Sequence, residues 1–181
     1  QDDFNGTTFD NRSWTKIKRG SADWRRYMSD ADSLYAVRDG KLVLRGALNT
    51  NLEADTARFV TGGLYTKRKH AVRYGKVEVR ARFDCAQGVW PAIWMKPDYE
   101  VKWPHGGEID IMEHVGFDQD RVHGTIHTKA FNHKIGTQKT RSDILKGATK
   151  DFHNYAVYWT QDVIRWVYDG ETFYEFQNTG N

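Results

Sequence analysis

Hydrophobic and polar residues alternate along much of this chain. In Lys76-Val77-Glu78-Val79-Arg80-Ala81-Arg82-Phe83, the residues Val77, Val79, Ala81 and Phe83 fall on one face, and Glu78, Arg80 and Arg82 on the other. That period of two predicts a strand with one core face and one polar face. Asp39-Gly40 separates the runs 34–37 and 42–45, and Asp169-Gly170 separates 163–168 from 172–176. An Asp-Gly pair supplies the positive φ that a tight hairpin turn requires, so both are read as hairpins. Further short β-rich runs cover 59–66, 89–95, 109–112, 122–128 and 155–160, with Gly-rich or polar breaks between them. Helical periodicity is nearly absent, and 142–150 is the only modest candidate. Many short strands without intervening helices predict an all-β fold, antiparallel sheets stacked as a sandwich with one outer face free to bind something.

Composition bounds this picture without changing it. A length of 181 residues, three prolines (91, 97 and 104), and no repeat or linker-like tract predict a single domain over 1–181. No window approaches the roughly 20 apolar residues of a membrane helix. The 27 basic and 24 acidic residues give a net charge of +3, too mild to favour nucleic acid. The single cysteine, Cys85, cannot form an internal disulfide, so stability is expected from burial. Aromatic residues make up 14% of the chain, including seven Trp, which suits a packed β core or a surface that stacks flat ligands.

The chemistry concentrates in Gly106-Gly107-Glu108-Ile109-Asp110-Ile111-Met112-Glu113-His114, with three carboxylates inside six residues. Regular alternation puts Glu108 and Asp110 on one face and sends Glu113 to the core side with Ile109 and Ile111. A lone carboxylate there would be costly. One extra residue, taken up as a β-bulge near Ile111-Met112, reverses the parity and returns Glu113 to the face of Glu108 and Asp110. Such a row suits retaining glycoside hydrolysis, in which one carboxylate attacks the anomeric carbon and a second, about 5 to 5.5 Å away, donates a proton to the leaving oxygen. Mutual repulsion among the three would raise at least one pKa and keep an acid near neutral pH. The competing reading on spacing alone is a solvated acidic strand.

This stretch resembles the glycoside hydrolase family 16 signature Glu-x-Asp-x-x-Glu, in the bulged form of its laminarinase-like members. The similarity extends to Asp3-Phe4-Asn5-Gly6, to 74–81, to Gly88-Val89-Trp90-Pro91-Ala92-Ile93-Trp94-Met95, to 107–116, to Val122-His123-Gly124-Thr125-Ile126-His127-Thr128, and to Asn132-His133 with Gly136-Thr137-Gln138-Lys139. The resemblance implies a jelly-roll β-sandwich of two antiparallel sheets with a concave substrate cleft, and endo-acting hydrolysis of β-1,3-glucan, with mixed-linkage β-1,3-1,4-glucan as an additional substrate. It implies Glu108 as nucleophile, Glu113 as general acid/base, Asp110 as the assisting carboxylate and His127 as a neighbour of the site. It implies no cofactor for catalysis, a structural calcium near Asp3 and Gly40, and a secreted, periplasmic or cell-surface location. Relatives continue past the position of Asn181 with further strands, so the chain is expected to be C-terminally incomplete relative to the family, the remainder coming from a further segment or chain.

Stacking platforms for sugar rings are sought among the tryptophans. Trp90 and Trp94 share a strand face with Ala92, and Trp103 lies in the loop that enters Glu108. Trp14, Trp24, Trp159 and Trp166 are read as packing residues. Arg80, on the polar face of its strand, is a candidate for sugar hydroxyls or for a surface ion pair with Glu78. His123 and His127 sit on a strand, without the helical spacing of zinc motifs. The basic run Lys67-Arg68-Lys69-His70 with Arg73 is read as a solvated loop, with a sulfated polysaccharide as the alternative. Two further functions compete: a non-hydrolytic β-glucan-binding module, and hydrolysis of agar- or carrageenan-type galactans.

Overall fold

The computed structural model describes residues 1–84 and 86–180, so Cys85 and the expectation attached to it lie outside the described residues. The chain forms two compact units, Gln1–Ala71 and Val72–Asn181.

The first unit holds six short strands: β1 (Thr15–Lys16), β2 (Tyr35–Arg38), β3 (Lys41–Leu44), β4 (Gly46–Leu48), β5 (Phe59–Thr61) and β6 (Leu64–Tyr65). They pair antiparallel as β1 with β6, β2 with β3 and β4 with β5. The β2–β3 hairpin turns through Asp39 and Gly40, at φ of 52° and 65°, as the Asp-Gly pair requires. The run 59–66 is two strands rather than one, broken at Gly62-Gly63. Ile17, Leu34, Tyr35 and Val37 are buried here. The basic run is partly absorbed by packing: the Lys69 ammonium donates to the carbonyls of Asn11 and Trp14, and His70 bonds Ser13 at 3.0 Å. Trp24 is 42% exposed with Arg25 over its ring at 5.5 Å, a correction to its reading as a packing residue.

The second unit holds β7 (Gly75–Ala81), β8 (Ala92–Met95), β9 (Glu108–Glu113), β10 (Arg121–His127), β11 (Lys139–Ile144), β12 (His153–Trp159), β13 (Val163–Tyr168) and β14 (Glu171–Gln177). Two four-stranded antiparallel sheets result, in the orders β11-β10-β9-β8 and β14-β13-β12-β7. Their inner faces close on one core that includes Phe83, Ile109, Ile111, Met112, Val122, Tyr155, Val157 and Trp166. Gly124 of β10 makes this approach feasible, since a Cβ there would stand 2.8 Å from the Trp166 ring. Two further bonds tie the sheets: Trp166 Nε1 donates to the Asp110 carbonyl at 2.8 Å, and the Tyr168 hydroxyl to the Ile111 carbonyl at 2.6 Å.

The expected all-β architecture is therefore present, with further local differences: residues 89–91, expected as strand, precede β8, which begins at Ala92 after Pro91. The helix candidate 142–150 is not helical, because 142–144 pair with β10 as the end of β11 and the following residues turn around Asp120. The Asp120 carboxylate accepts bonds from the Gly147 and Thr149 amides and the Thr149 hydroxyl. Strand β11 itself was not anticipated, since every residue in it is exposed and it carries no apolar alternation.

Candidate active site

Strand β9 is where local sequence and packing meet. Asp110 pairs with Thr125 of β10 and Trp94 of β8, whereas Glu113 pairs with His123 and Ala92. Between those pairs β9 has two residues, Ile111 and Met112, against one in each partner strand, which is the β-bulge predicted from the spacing. Both bulge residues point into the core, at 1% exposure each. Parity is thereby reversed after Ile111, and Glu108, Asp110 and Glu113 line the same outer face of their sheet.

Neighbouring strands furnish that face in register. Glu108 stands opposite His127, Asp110 lies between Trp94 and Thr125, and Glu113 between Ala92 and His123. His127 Nε2 is 3.4 Å from Asp110 Oδ2. Oxygens of Glu108 and Asp110 and a ring nitrogen of His127 lie within 4.8 Å of one another, close enough to ligate a common ion. At the other end, the indole N–H of Trp90 donates to Glu113 Oε1 at 3.1 Å, although the Trp90 ring is 66% exposed. The small Ala92 opposite Glu113 leaves that carboxylate accessible on its β8 side.

Burial controls the electrostatics. Glu108 is pushed up to about 7 by desolvation and then by the Asp110 charge, with His127 and Lys96 pulling the other way. Desolvation likewise raises Asp110 to about 7. Glu113 rises to about 7 for the same first reason, with the Asp110 charge adding and the Trp90 hydrogen bond and His127 subtracting. The three titrate as a group, so near neutrality the cluster keeps a proton that solvated carboxylates would have lost. Burial lowers the His127 pKa despite the two glutamates, which favours a neutral imidazole.

Trp103 stands beside His127, the residue opposite Glu108, and packs on a partner that was not predicted. Its half-buried ring stacks on His133 at 4.7 Å and stands 5.6 Å from His127, with Lys134 over it at 5.2 Å. His133 also meets His127 edge-on at 5.2 Å. It lies in a short 3-10 turn, His133–Ile135, and the only sequence signal for it was its place in the Asn132-His133 pair. Lys96, two residues past Trp94 and with its ammonium 5.6 Å from that ring, was likewise missed.

Arg80 is a correction. It sits on β7 of the other sheet, facing away from the core side marked by Val77 and Ala81, and its guanidinium covers Phe152 at 4.6 Å. Strand alternation put it on a polar face, but that face is the outer surface of the wrong sheet. Glu78 pairs with Lys76 at 2.8 Å instead. An apolar recess of about 360 Å³ beside Tyr74, Lys76, Tyr158 and Trp159 also belongs to the β7 sheet and not to the carboxylates.

The family model of the glycosyl hydrolases family 16 matches residues 31–181. A beta-glucanase of Rhodothermus marinus is 49% identical over 124 residues, covering 66% of this chain and 43% of that protein. Glucan endo-1,3-beta-glucosidase A1 of Niallia circulans is 34% identical over 98% of this chain and 29% of its own length. The chain thus spans less than half the length of either relative. The crystal structure of the Rhodothermus marinus laminarinase superposes with a TM-score of 0.90 at 37% identity, covering 98% of this chain and 73% of that one, and shares the jelly-roll sandwich expected from the sequence. With the family model spanning 151 of 181 residues (31 to 181 inclusive), this chain belongs to the glycosyl hydrolases family 16.

Proposed function

We propose that the chain is a retaining, endo-acting β-1,3-glucanase, with mixed-linkage β-1,3-1,4-glucan as a further substrate, and that residues 1–181 belong to one catalytic domain. The observation that carries the reading is the bulge at Ile111-Met112, which sets two glutamates on one face with a carboxylate between them. Relatives named beta-glucanase and glucan endo-1,3-beta-glucosidase support the substrate class.

Glu108 is assigned as nucleophile. Lys96 favours its charged form, and attack on the anomeric carbon needs a carboxylate. Glu113 is assigned as acid/base by its place in the Glu-x-Asp-x-x-Glu motif, and a pKa raised by burial, as that of Glu108 is, lets it hold a proton for the leaving oxygen. Once that proton is spent, Glu113 is the base that activates water against the glycosyl–Glu108 ester. Asp110 holds the proton balance between them, with His127 Nε2 orienting its carboxylate. Trp103 and Trp94 offer indole faces to the apolar side of glucose rings, and Trp90 fixes Glu113 while presenting an exposed ring. No step needs a metal. Around Gly40, the Asp3 carbonyl and Asn5 Oδ1 each lie 3.9 Å from where a Cβ would stand, oxygen donors of the kind calcium takes, and a structural role is proposed for such an ion. Secretion or surface display follows from the polymeric substrate.

The test is product analysis on laminarin, mixed-linkage glucan, agarose and κ-carrageenan with Glu108→Gln alongside. Expected are oligosaccharides from laminarin, cut by about 10³-fold or more in the variant while oligosaccharide binding stays within a few-fold. Binding without any product from the unaltered chain would turn the assignment to a glucan-binding module. Product from the galactans alone would replace the substrate.

A further inference from the structure

The bulge that aligns the carboxylates is a costly piece of backbone. In a regular strand, successive carbonyls point sideways to the two neighbouring strands and none is offered to the sheet beneath. Where the register slips between Asp110 and Glu113, that ladder is interrupted, and a buried carbonyl without a donor is unfavourable. Here the Asp110 carbonyl accepts from Trp166 Nε1 at 2.8 Å and the Ile111 carbonyl from the Tyr168 hydroxyl at 2.6 Å. Both donors come from β13 of the opposite sheet. They lie two residues apart, hence on one face, and are buried at 0% and 3% exposure. The same Trp166 ring rests against Gly124, the β10 residue at the register slip itself.

We propose that Trp166 and Tyr168 are positioning residues that act on catalysis through the backbone of the bulge. By holding two successive carbonyls of β9 they set the distance and angle between Glu113 and the pair Glu108 and Asp110. This rests on the catalytic assignment above for its functional consequence. Burial holds the Tyr168 pKa well above that of an ordinary tyrosine, so its hydroxyl is a donor throughout any working pH range.

A neighbour provides the control. Tyr155 packs edge-on against Tyr168 at 5.1 Å in the same core, fully buried, and its hydroxyl has no hydrogen-bond partner among the described residues. Tyr155→Phe therefore removes a core hydroxyl of the same kind without touching the bulge. Tyr168→Phe keeps the ring and deletes only the donor to Ile111.

The experiment compares the two variants and the unaltered chain by kcat, KM and pH–rate profile on laminarin, by thermal unfolding, and by ¹³C titration of labelled side-chain carboxyls. Expected for Tyr168→Phe is a fall in kcat of about tenfold with KM within about twofold, the signature of misplaced reacting groups rather than lost binding. The basic limb of its pH profile and the upper carboxyl titration should move by about half a unit or more, because separating Glu113 from Asp110 weakens their repulsion. Tyr155→Phe should leave all three readouts in place. A Tyr168→Phe variant that melts earlier but keeps kcat and the carboxyl titration would overturn the proposal, as would equal kinetic effects from both variants. The carboxyl titration is independent of turnover. If the unaltered chain cleaves no polymer, the catalytic assignment fails while the titration still decides whether Tyr168 positions the cluster.

Discussion

At the residue scale, the cluster of Glu108, Asp110 and Glu113 trades stability for reactivity. A solvated glutamate near 4.5 would be ionised at neutral pH, whereas Glu108 titrates at about 7 because its charge is desolvated beside Asp110. A folded-state pKa above the unfolded value means that the folded protein binds the proton more tightly. The associated stability is fully present below the unfolded value near 4.5 and is lost as pH rises through about 7. For Glu108 alone the shift corresponds to about 3 kcal/mol. We therefore expect the melting temperature to fall between pH 5 and pH 8, and Glu108→Gln to fall less and to be the more stable protein at pH 8. Thermal unfolding of both at the two pH values checks this, and parallel curves would show that burial does not perturb the carboxylate. The same reasoning predicts a basic limb of activity near pH 7, where the shared proton leaves.

Among elements, the decisive fact is which sheet a strand joins. Alternation placed Trp94, Arg80 and His127 on polar or mixed faces alike, yet β8 and β10 flank the carboxylate strand and β7 belongs to the opposite sheet. Arg80→Ala is thus expected to leave KM for laminarin within about twofold, whereas Trp103→Ala, which removes the ring packed against both His127 and His133, should raise it by about tenfold or more. Steady-state kinetics of the two variants compares them directly, and a larger effect from Arg80 would mean that sugar reaches the outer face of the β7 sheet. Much of the element pattern was open to local reading. Both Asp-Gly hairpins and the core strands β7, β9, β10, β12 and β13 follow from turn chemistry and period two. Strand β11 escaped because an exposed edge strand such as Lys139–Ile144 has no buried face to imprint alternation on its sequence. Residues 89–91 were read as strand but β8 begins at Ala92, after a proline that has no amide to donate.

For the whole molecule, charge and length matter more than any single contact. A net charge of +3 is spread over basic groups such as Lys16, Lys76, Arg121 and Arg165 that are already paired with carboxylates. A neutral glucan held by stacking and hydrogen bonds should bind with little dependence on ionic strength. KM for laminarin is expected to stay within about twofold between 50 mM and 500 mM salt, where a phosphate-rich ligand would lose orders of magnitude in affinity. A steep salt dependence would point to an anionic polysaccharide and revive the basic run around Lys67 and Arg68.

The covalent chain by itself determined the features that depend only on near neighbours. The identity and spacing of Glu108, Asp110 and Glu113 forced either a buried charge or a bulge, and the φ demands of Asp39-Gly40 and Asp169-Gly170 marked their turns. Side chains alternate along any strand, so faces were legible without knowing the fold. Tertiary structure decided what those faces meet. The rise of three carboxylates toward neutrality comes from burial, the stacking of Trp103 on His133 joins loops about 30 residues apart, and the donors under the bulge come from β13, more than 50 residues along the chain. Desolvation and hydrogen bonding to distant groups arise only when the two sheets close, and no local pattern encodes which partners that closure brings together.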